Sequence, residues 1–355
     1  MIDLVESRPE LDNLKSYAPL EENARIVLSA NESPFNLSES LVKKIKKELN
    51  SFAFNRYPDA LASGLRKKLA VAYGVSDENI VLGNGSDELI QCLLLAYGGS
   101  GRSILTFEPT FSMYSIVSQV TGTQVYELDR TELFGIDVPR ALEVVREFCP
   151  TLIFLCNPNN PTGNILSSDE IELFLKETNA LVVVDEAYAE FSGQTVIPLL
   201  SKFPNLIVLR TFSKAFSLAG IRIGYMVASS GITENALKAK LPYNCDAFSQ
   251  MVAGLAFNER ETFKLQIKKI VSERERIIKE LSKINGVTPH SSAANFVLIE
   301  IEKEAIWVWK KLLEAGILVR NFNESRLKKY LRVTVGTEEE NNLFLKMLKE
   351  IVDAR

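Results

Sequence analysis

The sequence predicts an α/β protein: a mostly parallel sheet between helices, followed by a smaller α+β region. Short apolar runs alternate with helical segments from about residue 61 to residue 254, which is the arrangement of βα units in a parallel sheet. After that, a long charged helical stretch over 255–285 leads into shorter strands and helices. The chain has 355 residues, more than one core of ordinary size holds, so we expect two domains.

The individual elements follow from the spacing of apolar residues. A turn-rich segment, NESPFN, precedes an amphipathic helix over 38–49, and a loop, NRYPD, follows it. The strands predicted for the large sheet are 80–82, 103–107, 151–155, 181–184, 206–209 and 223–228. The smaller region has predicted strands at 295–301, 317–319 and 330–335 and helices at 305–314 and 338–352. We therefore expect an N-terminal arm over 1–30 that packs with the small domain, a large domain over 31–250 and a small domain over 251–355.

Composition limits the function classes. Charged residues make up 24% of the chain and the formal net charge is −4, which argues against nucleic acid as a partner. No apolar run approaches 18 residues, and the N-terminus lacks both the basic and the apolar region of a signal peptide. We therefore expect a cytoplasmic protein without membrane contact. The four cysteines form no CxxC pair and His290 is the single histidine, so we expect neither a metal site nor nucleophilic catalysis by a histidine-assisted serine or cysteine.

Residues 211–225, TFSKAFSLAGIRIGY, carry the strongest functional signal. Lys214 is flanked by the hydroxyls of Thr211 and Ser213, and Arg222 follows eight residues later. This set suits a small aldehyde cofactor that also carries a phosphate. Lys214 could form the Schiff base, while Arg222 and the hydroxyls bind the phosphate.

A second segment, LVVVDEAYAE, places a carboxylate at the end of a buried strand. Asp185 follows the apolar run 181–184, at the strand end where open α/β sheets bind their ligands. A carboxylate there needs a cation, and a protonated pyridine nitrogen supplies one. Tyr188 could reach the phenolic oxygen of the same ring. The alternative is that Asp185 only caps the following helix.

Three further strand ends carry candidate groups. In NGSDELI, Ser86 and Asp87 begin a helix, where free N–H groups and the helix dipole favour a phosphate, although either residue could simply be an N-cap. In EPTFSMY, Phe111 could stack on a flat cofactor ring or be a core aromatic. In CNPNNPTG, Asn160 projects an amide from a rigid loop and could donate to the ring oxygen.

Arg332 lies in an otherwise apolar strand, LRVTVG, near the C-terminus. A buried arginine needs an anion. The functional interpretation is a substrate carboxylate or phosphate bound in bidentate fashion, and the alternative is an internal Asp or Glu.

Taken together and in order, these motifs resemble the fold-type I PLP-dependent aminotransferases of class I/II, over essentially the whole chain. The resemblance implies pyridoxal 5′-phosphate as the cofactor and Lys214 as both the Schiff-base lysine and the catalytic acid/base. It implies that Asp185 pairs with the pyridinium nitrogen, Asn160 and Tyr188 with the ring oxygen, and Phe111 with the ring face. The groups implied for the cofactor phosphate are the backbone at Ser86 and Asp87, together with Ser213 and Arg222.

Within that family, NRYPD, DEAYAEF, RTFSKAFSLAG, SAANF and YLRVTVGTEEEN resemble the subgroup that acts on histidinol phosphate in histidine biosynthesis. The resemblance implies a homodimer in which Tyr57 reaches the partner's cofactor phosphate. It also implies that Arg332, with Arg320 and Tyr17, binds the anionic end of the substrates. One departure is Ser217, where many members have glycine.

The sequence is also compatible with other functions. The same residues could serve an aromatic or broad-specificity aminotransferase, or a decarboxylase of a phosphorylated amino acid. A ligand-sensing regulator would need a DNA-binding module, for which the sequence shows no basic helix-turn-helix region. A catalytically inactive binding protein would lack Lys214, Asp185 or Arg222, and all three are present.

Overall fold

The computed structural model describes Val5, residues 7–11, Leu14, residues 23–322 and residues 325–354. Its strands are β1 Ile26–Leu28, β2 Ile80–Asn84, β3 Ser103–Glu108, β4 Gln124–Asp129, β5 Leu152–Cys156, β6 Leu181–Asp185, β7 Leu206–Thr211, β8 Ile223–Ala228, β9 Val287–Pro289, β10 Phe296–Ile301, β11 Ile317–Asn321 and β12 Tyr330–Thr334. Its helices are α1 Glu39–Leu49, α2 Ser63–Tyr73, α3 Gly85–Tyr97, α4 Met113–Val120, α5 Val138–Phe148, α6 Ser168–Glu177, α7 Ala189–Ser192, α8 Ser230–Ala239, α9 Ala247–Asn258, α10 Arg260–Leu281, α11 Ala305–Glu314 and α12 Glu338–Asp353.

Among the described residues, seven strands form the large sheet, in the order β2-β8-β7-β6-β5-β3-β4. All pairs from β7 to β4 are parallel, whereas β8 runs antiparallel to both of its neighbours. The mostly parallel sheet between helices is therefore confirmed. Because β3, β5, β6 and β7 point the same way, their carboxyl ends meet at one edge, and the residues that follow them lie close together there.

The smaller sheet has five strands in the part of the chain that the structure describes, in the order β1-β11-β12-β10-β9. Four of them come from the C-terminal part of the chain and pair antiparallel, as expected for an α+β region. The fifth, β1, comes from the N-terminal region and pairs parallel with β11, Ile26 lying opposite Ile317. The N-terminal region thus contributes a strand where the sequence predicted only an arm. The domain boundaries at residues 30 and 250 stay predictions.

The long helical stretch predicted over 255–285 is wrong in its bounds. The structure has two helices there, α9 ending at Asn258 and α10 ending at Leu281. Glu259 separates them, with φ −101° and ψ 19°, outside the helical region. Within the part of the chain that the structure describes, no helix is long and apolar enough to cross a membrane.

Candidate active site

A cavity of about 500 Å³ opens at the carboxyl edge of the large sheet, against the smaller sheet. It brings together most of the residues that the sequence predicted for the site. Those that line it are Ser86, Asp87, Phe111, Asn160, Asp185, Tyr188, Thr211, Ser213, Lys214, Arg222, Arg320 and Arg332. Tyr57 is not part of this wall, and Tyr17 lies outside the residues that the structure describes.

Lys214 follows β7 and extends into the cavity. Its Nζ donates a hydrogen bond to the carbonyl oxygen of Ala30 at 2.8 Å. Burial lowers the pKa of this amine from 10.5 to about 8, and the nearby guanidinium groups of Arg332 and Arg222 act in the same direction, against Glu32 and Asp87. A substantial fraction of Lys214 is therefore neutral near pH 8, the state in which an amine can attack a carbonyl or accept a proton.

Asp185 is the last residue of β6 and is only 3% exposed. Its Oδ2 accepts a hydrogen bond from the Tyr114 hydroxyl at 2.7 Å, and its Oδ1 accepts one from the Ala187 N–H at 3.1 Å. Burial raises the pKa of the carboxyl group to about 6. No salt bridge to Asp185 occurs among residues 23–322 and 325–354, so a cationic ligand atom would be stabilised beside it.

Asp185 is not an N-cap, because α7 begins only at Ala189 and its N-cap residue is Tyr188. The structure therefore does not support the alternative that Asp185 serves only to cap the next helix. Tyr188 is buried, and its hydroxyl accepts a hydrogen bond from Asn31 Nδ2 at 3.0 Å.

The start of α3 forms a narrow cradle. Its N-cap residue is Asn84, which makes no side-chain cap, so neither Ser86 nor Asp87 has the capping role. Gly85 has φ +77°, and a Cβ there would lie 2.6 Å from Arg222 Nη2. A Cβ on Gly224 would lie 2.4 Å from the backbone nitrogen of Ser86. Two glycines thus allow a helix N-terminus and a guanidinium group to approach one small volume, as binding of a phosphate requires.

Arg222 and Ser213 complete this cradle from the other side. Arg222 adopts a left-handed backbone with φ 53°, and its Nη2 lies 3.4 Å from Asp87 Oδ2. Ser213 is buried, and its Oγ accepts a hydrogen bond from Thr211 Oγ1 at 3.0 Å. The groups here that favour an anion are two backbone N–H groups, hydroxyls and one guanidinium, and the Asp87 carboxylate beside Arg222 acts against them.

Phe111 and Asn160 stand on the loops after β3 and β5. The Phe111 ring is half-buried and makes an edge contact with Tyr114, the ring centroids being 5.6 Å apart. Asn160 uses its side-chain oxygen to accept a hydrogen bond from Arg332 Nη1. The amide therefore also orients an arginine, which the sequence did not indicate.

Two arginines line the wall that the smaller sheet contributes. Arg320 on β11 lies directly opposite Arg332 on β12. Arg332 is only 7% exposed, donates to the carbonyl oxygen of Ser29 as well as to Asn160, and lies over the ring of Phe296 at 5.3 Å. Like charges directly across a strand pair repel each other, so an anion between these two guanidinium groups would be favourable.

Residues 29–32 form the part of the wall that sequence reasoning missed. The carbonyl of Ser29 accepts from Arg332, that of Ala30 accepts from Lys214, and the side chain of Asn31 donates to Tyr188. Asn31 has φ 55°, one of the few backbone conformations outside the usual regions in this structure. Backbone carbonyl groups leave no signature in residue types, so only the asparagine could have been a signal.

Two further sequence observations have structural counterparts. Tyr57 is 81% exposed and stacks on Tyr243 with ring centroids 4.7 Å apart. Ser217 adopts φ 54°, the left-handed region in which glycine is favoured, and its Oγ donates to Ser33 Oγ at 2.9 Å. The serine is therefore accommodated in this turn.

Comparison with known proteins identifies relatives over nearly the whole chain. The family model for aminotransferase class I and II matches residues 24–348. Histidinol-phosphate aminotransferase 1 of Carboxydothermus hydrogenoformans is 45% identical over 339 residues, which are 96% of each chain. The solved structure of histidinol-phosphate aminotransferase from Sinorhizobium meliloti, in complex with pyridoxal-5′-phosphate, is similar with a TM-score of 0.90 and 25% identity, covering 99% of this chain and 98% of that chain. L-threonine-O-3-phosphate decarboxylase from Porphyromonas gingivalis is similar with a TM-score of 0.81 and 26% identity, over 93% and 100% of the two chains.

The cavity fits the cofactor of this family, pyridoxal 5′-phosphate. That molecule presents an aldehyde, a basic ring nitrogen and a phosphate, and the cavity has a partly neutral amine, a buried carboxylate without a salt bridge among the described residues, and an anion cradle. The matched region and the relatives agree with this fit. The chain belongs to the class I and II aminotransferases, which use pyridoxal 5′-phosphate.

Proposed function

We propose that this protein transfers an amino group between L-histidinol phosphate and 2-oxoglutarate, giving imidazole-acetol phosphate and glutamate, as a step of histidine biosynthesis. The observation that carries the proposal is that one cavity contains Lys214 together with two separate sets of groups suited to anions. One is the cradle of α3 with Arg222, and the other is the Arg320–Arg332 pair. The relatives that cover nearly the whole chain favour this substrate pair.

The cofactor would be bound by residues at the ends of five strands, β2, β3, β5, β6 and β7, and by Arg222, which precedes β8. Ser86, Asp87, Ser213 and Arg222 would hold its phosphate, and Asp185 would face its ring nitrogen. Asn160 and Tyr188 would face the ring oxygen, and Phe111 the ring face. When bound, pyridoxal 5′-phosphate accepts the electron pair released at the substrate Cα.

Lys214 would supply the amine for the cofactor aldehyde and move the substrate proton. Its lowered pKa leaves part of the amine neutral, so that it can take a proton at Cα and return it. The hydrogen bond to the Ala30 carbonyl holds Nζ inside the cavity. Asp185, kept ionised by its two hydrogen bonds, would stabilise a positive charge on the ring nitrogen.

Arg332, with Arg320 and Tyr17, would bind the anionic end of both substrates. Glutamate carries a planar carboxylate, and histidinol phosphate carries a phosphate with three terminal oxygens. Guanidinium groups bind both kinds of anion by paired hydrogen bonds. Asn160 and Ser29 fix the orientation of the Arg332 side chain. The positive charges of Arg320 and Arg332 would therefore stabilise the substrate phosphate, in addition to the cofactor phosphate bound elsewhere in the cavity.

The active form would be a homodimer in which Tyr57 completes the partner's site. Tyr57 is exposed and stacks on Tyr243, and exposed apolar side chains are typical of an interface. Further exposed apolar residues close to these two in the sequence are Phe54, Leu61 and Leu241. We also propose a cytoplasmic location, since Cys92, Cys149, Cys156 and Cys245 are all free thiols, as in compartments that keep cysteines reduced.

The test is a half-reaction followed by absorbance. L-histidinol phosphate is added to the purified protein loaded with pyridoxal 5′-phosphate, and phenylalanine and O-phosphothreonine are added in parallel samples. We expect rapid conversion to the pyridoxamine spectrum with histidinol phosphate. Faster conversion with phenylalanine would favour an aromatic aminotransferase, and CO₂ release from O-phosphothreonine would favour a decarboxylase. No cofactor band at all would remove Lys214 from its proposed role.

A further inference from the structure

Tyr114 is a buried side chain beside the cavity that the proposed function does not use. It is the second residue of α4 and is fully buried. Its ring stacks on Phe154 with centroids 4.7 Å apart and planes at 16°, and it meets the ring of Phe111 edge-on at 5.6 Å and 83°. Two aromatic neighbours therefore fix the direction in which the Tyr114 hydroxyl points.

That hydroxyl donates to Asp185 Oδ2 at 2.7 Å, a short bond between a neutral donor and a carboxylate. The other carboxylate oxygen accepts the N–H of Ala187. Among the described residues around the cavity, Tyr114 is therefore the one whose side chain donates a hydrogen bond to Asp185. A hydrogen bond to the charged form of an acid favours that form.

Among the groups that face Asp185, the Asp87 carboxylate on α3 opposes its ionisation. Cys156 on β5, which lies opposite it in register, and the Tyr188 hydroxyl on its own loop are neutral neighbours, and the charge of Asp185 raises the pKa of each of them. Burial raises the pKa of the Asp185 carboxyl, and the Tyr114 bond acts against that rise. Burial also raises the pKa of the Tyr114 phenol well above its usual range, so this group remains a proton donor over the working pH range.

We propose that Tyr114 is a positioning residue that keeps Asp185 ionised and directed at the cofactor nitrogen, while its ring fixes the aromatic side chain that faces the cofactor. The proposal rests on the proposed role of Asp185. Tyr114 contacts both Phe111 and Asp185, so one side chain would position two contacts to the cofactor that come from different strands. Loss of the hydroxyl alone should therefore weaken the contact at the ring nitrogen without emptying the cavity.

The test compares Tyr114→Phe with Tyr126→Phe, a matched control that removes a phenolic hydroxyl from a tyrosine stacked on Phe148 in the same domain. The first readout is the affinity of the apoprotein for pyridoxal 5′-phosphate. Losing one hydrogen bond to a charged group should weaken it roughly tenfold to a hundredfold in Tyr114→Phe and leave it unchanged in the control. Equal affinity in Tyr114→Phe and the wild type would overturn the proposal.

The second readout needs no cofactor. The pKa of Asp185 is raised in the folded protein, so its contribution to stability is present below the unfolded pKa of 3.8 and is lost as the pH rises through about 6. In Tyr114→Phe the pKa should rise further, so thermal unfolding of the apoprotein should show this loss at higher pH than in the wild type. Superimposable profiles would contradict the proposal.

A double-mutant cycle with Asp185→Asn separates an effect through Asp185 from a packing effect. In the Asp185→Asn background, Tyr114→Phe should weaken cofactor affinity by less than in the wild type, and additive losses would overturn the proposal. Failure of the proposed function has a different signature. In that case the wild type itself shows no cofactor band, and the pH profile of the apoprotein then decides the role of Tyr114.

Discussion

At Lys214, burial and two arginines act in the same direction on one amine. The pKa of this group is lowered to about 8, and burial is the largest cause, followed by Arg332. We expect the rate at which the apoprotein captures pyridoxal 5′-phosphate to rise with pH through about 8, because only the neutral amine attacks the aldehyde. Stopped-flow absorbance across this range measures the midpoint.

Replacement of Arg332 tests the electrostatic part of that prediction. Arg332→Gln should move the midpoint of the capture profile upward, towards the ordinary lysine value, because one of the cations that disfavour a protonated Lys214 is removed. Arg140→Gln is the control, since Arg140 is an exposed residue of α5 paired with Glu143. An unchanged midpoint in Arg332→Gln would contradict the electrostatic explanation.

Gly85 provides a second prediction at the scale of single residues. Gly85→Ala and Gly101→Ala both place a side chain at φ +77°, which costs about 1–2 kcal/mol of unfolding free energy in each case. Only the Cβ at position 85 meets Arg222, whereas position 101 opens onto empty space. We therefore expect cofactor affinity to fall on the order of tenfold, as for one lost charge-assisted hydrogen bond, in Gly85→Ala alone. Equal affinities in a fluorescence titration would contradict the cradle.

The residues of the site were predictable to the extent that their motifs follow strand ends. Lys214, Asp185 and Arg222 carry chemistry in their side chains, so their residue types and spacing indicate a site, and all three line one cavity. The carbonyl groups of Ser29 and Ala30 could not be predicted in this way, because every residue has a carbonyl group. Tyr114 gave no signal either, since a tyrosine in an amphipathic helix usually indicates a core position.

At the scale of elements, β1 is the strand with the most consequence for the cavity. Leu28 is 2% exposed in this strand, whereas its neighbour Val27 is 49% exposed. Leu28→Ala should lower the unfolding free energy by about 2–5 kcal/mol, because it leaves a cavity in the core, and Val27→Ala by less than about 1 kcal/mol. Urea unfolding measures both, and similar midpoints would show that β1 does not pack as the structure has it.

The elements that the sequence missed have weak local patterns. β4 is an edge strand with half-exposed and exposed residues, QVYELD, so it lacks the apolar run that marked its neighbours. β1 has three residues and pairs with a strand far along the chain, so no local pattern identifies it. The break at Glu259 occurs without glycine or proline at that position, so no residue type marks it in the sequence. Buried interior strands such as β6 and β7 were predictable because both of their faces are apolar.

At the scale of the whole molecule, side chains that do not line the cavity also join the two sheets. Arg326, between β11 and β12, donates to the carbonyl oxygens of Glu108 at 3.0 Å and Thr131 at 2.9 Å, near the end of the large sheet. Phe134 from the large sheet's side is buried against the rings of His290 and Tyr330, at 5.3 and 5.6 Å. This contact holds the smaller sheet against the cavity edge.

Because His290 is the only histidine in the sequence and takes part in this contact, its titration reports on the contact. Burial lowers the pKa of His290 below 6.5, although Glu300 acts in the opposite direction. The unfolded chain therefore binds the proton more readily, and the stability contributed by the neutral ring, present above pH 6.5, is lost as the pH falls through the lower folded pKa. We expect the one histidine signal in a ¹H NMR titration to have a midpoint below 6.5.

His290→Gln is the matching variant for that titration. It should remove part of the decrease in melting temperature between pH 7 and pH 5, because no imidazole remains to be protonated in the unfolded chain. Asp185, whose pKa is raised to about 6, also titrates within this range, so the difference between the wild type and the variant is the quantity to compare. A histidine midpoint at or above 6.5 would contradict burial of the ring.

The proposed dimer can be tested by mixing two inactive variants. If Tyr57 acts in the partner's site, a heterodimer of Lys214→Ala and Tyr57→Ala subunits contains one site with both native residues. Subunit exchange should then restore tight cofactor binding and activity to a fraction of the sites. If Tyr57 acts within its own subunit, no site has both residues and mixing restores nothing. Sedimentation of each variant alone is the control for assembly.

The pairing of β1 with β11 also affects the order in which the protein folds during its synthesis. Ile26 leaves the ribosome early, but its partner Ile317 is made only when most of the chain has already emerged. The strands of the large sheet are all translated between these two events and can assemble first. The segment that follows β1 lies over Lys214, so this wall of the cavity is completed last. A nascent chain can therefore have a finished large sheet while its catalytic cavity is still open.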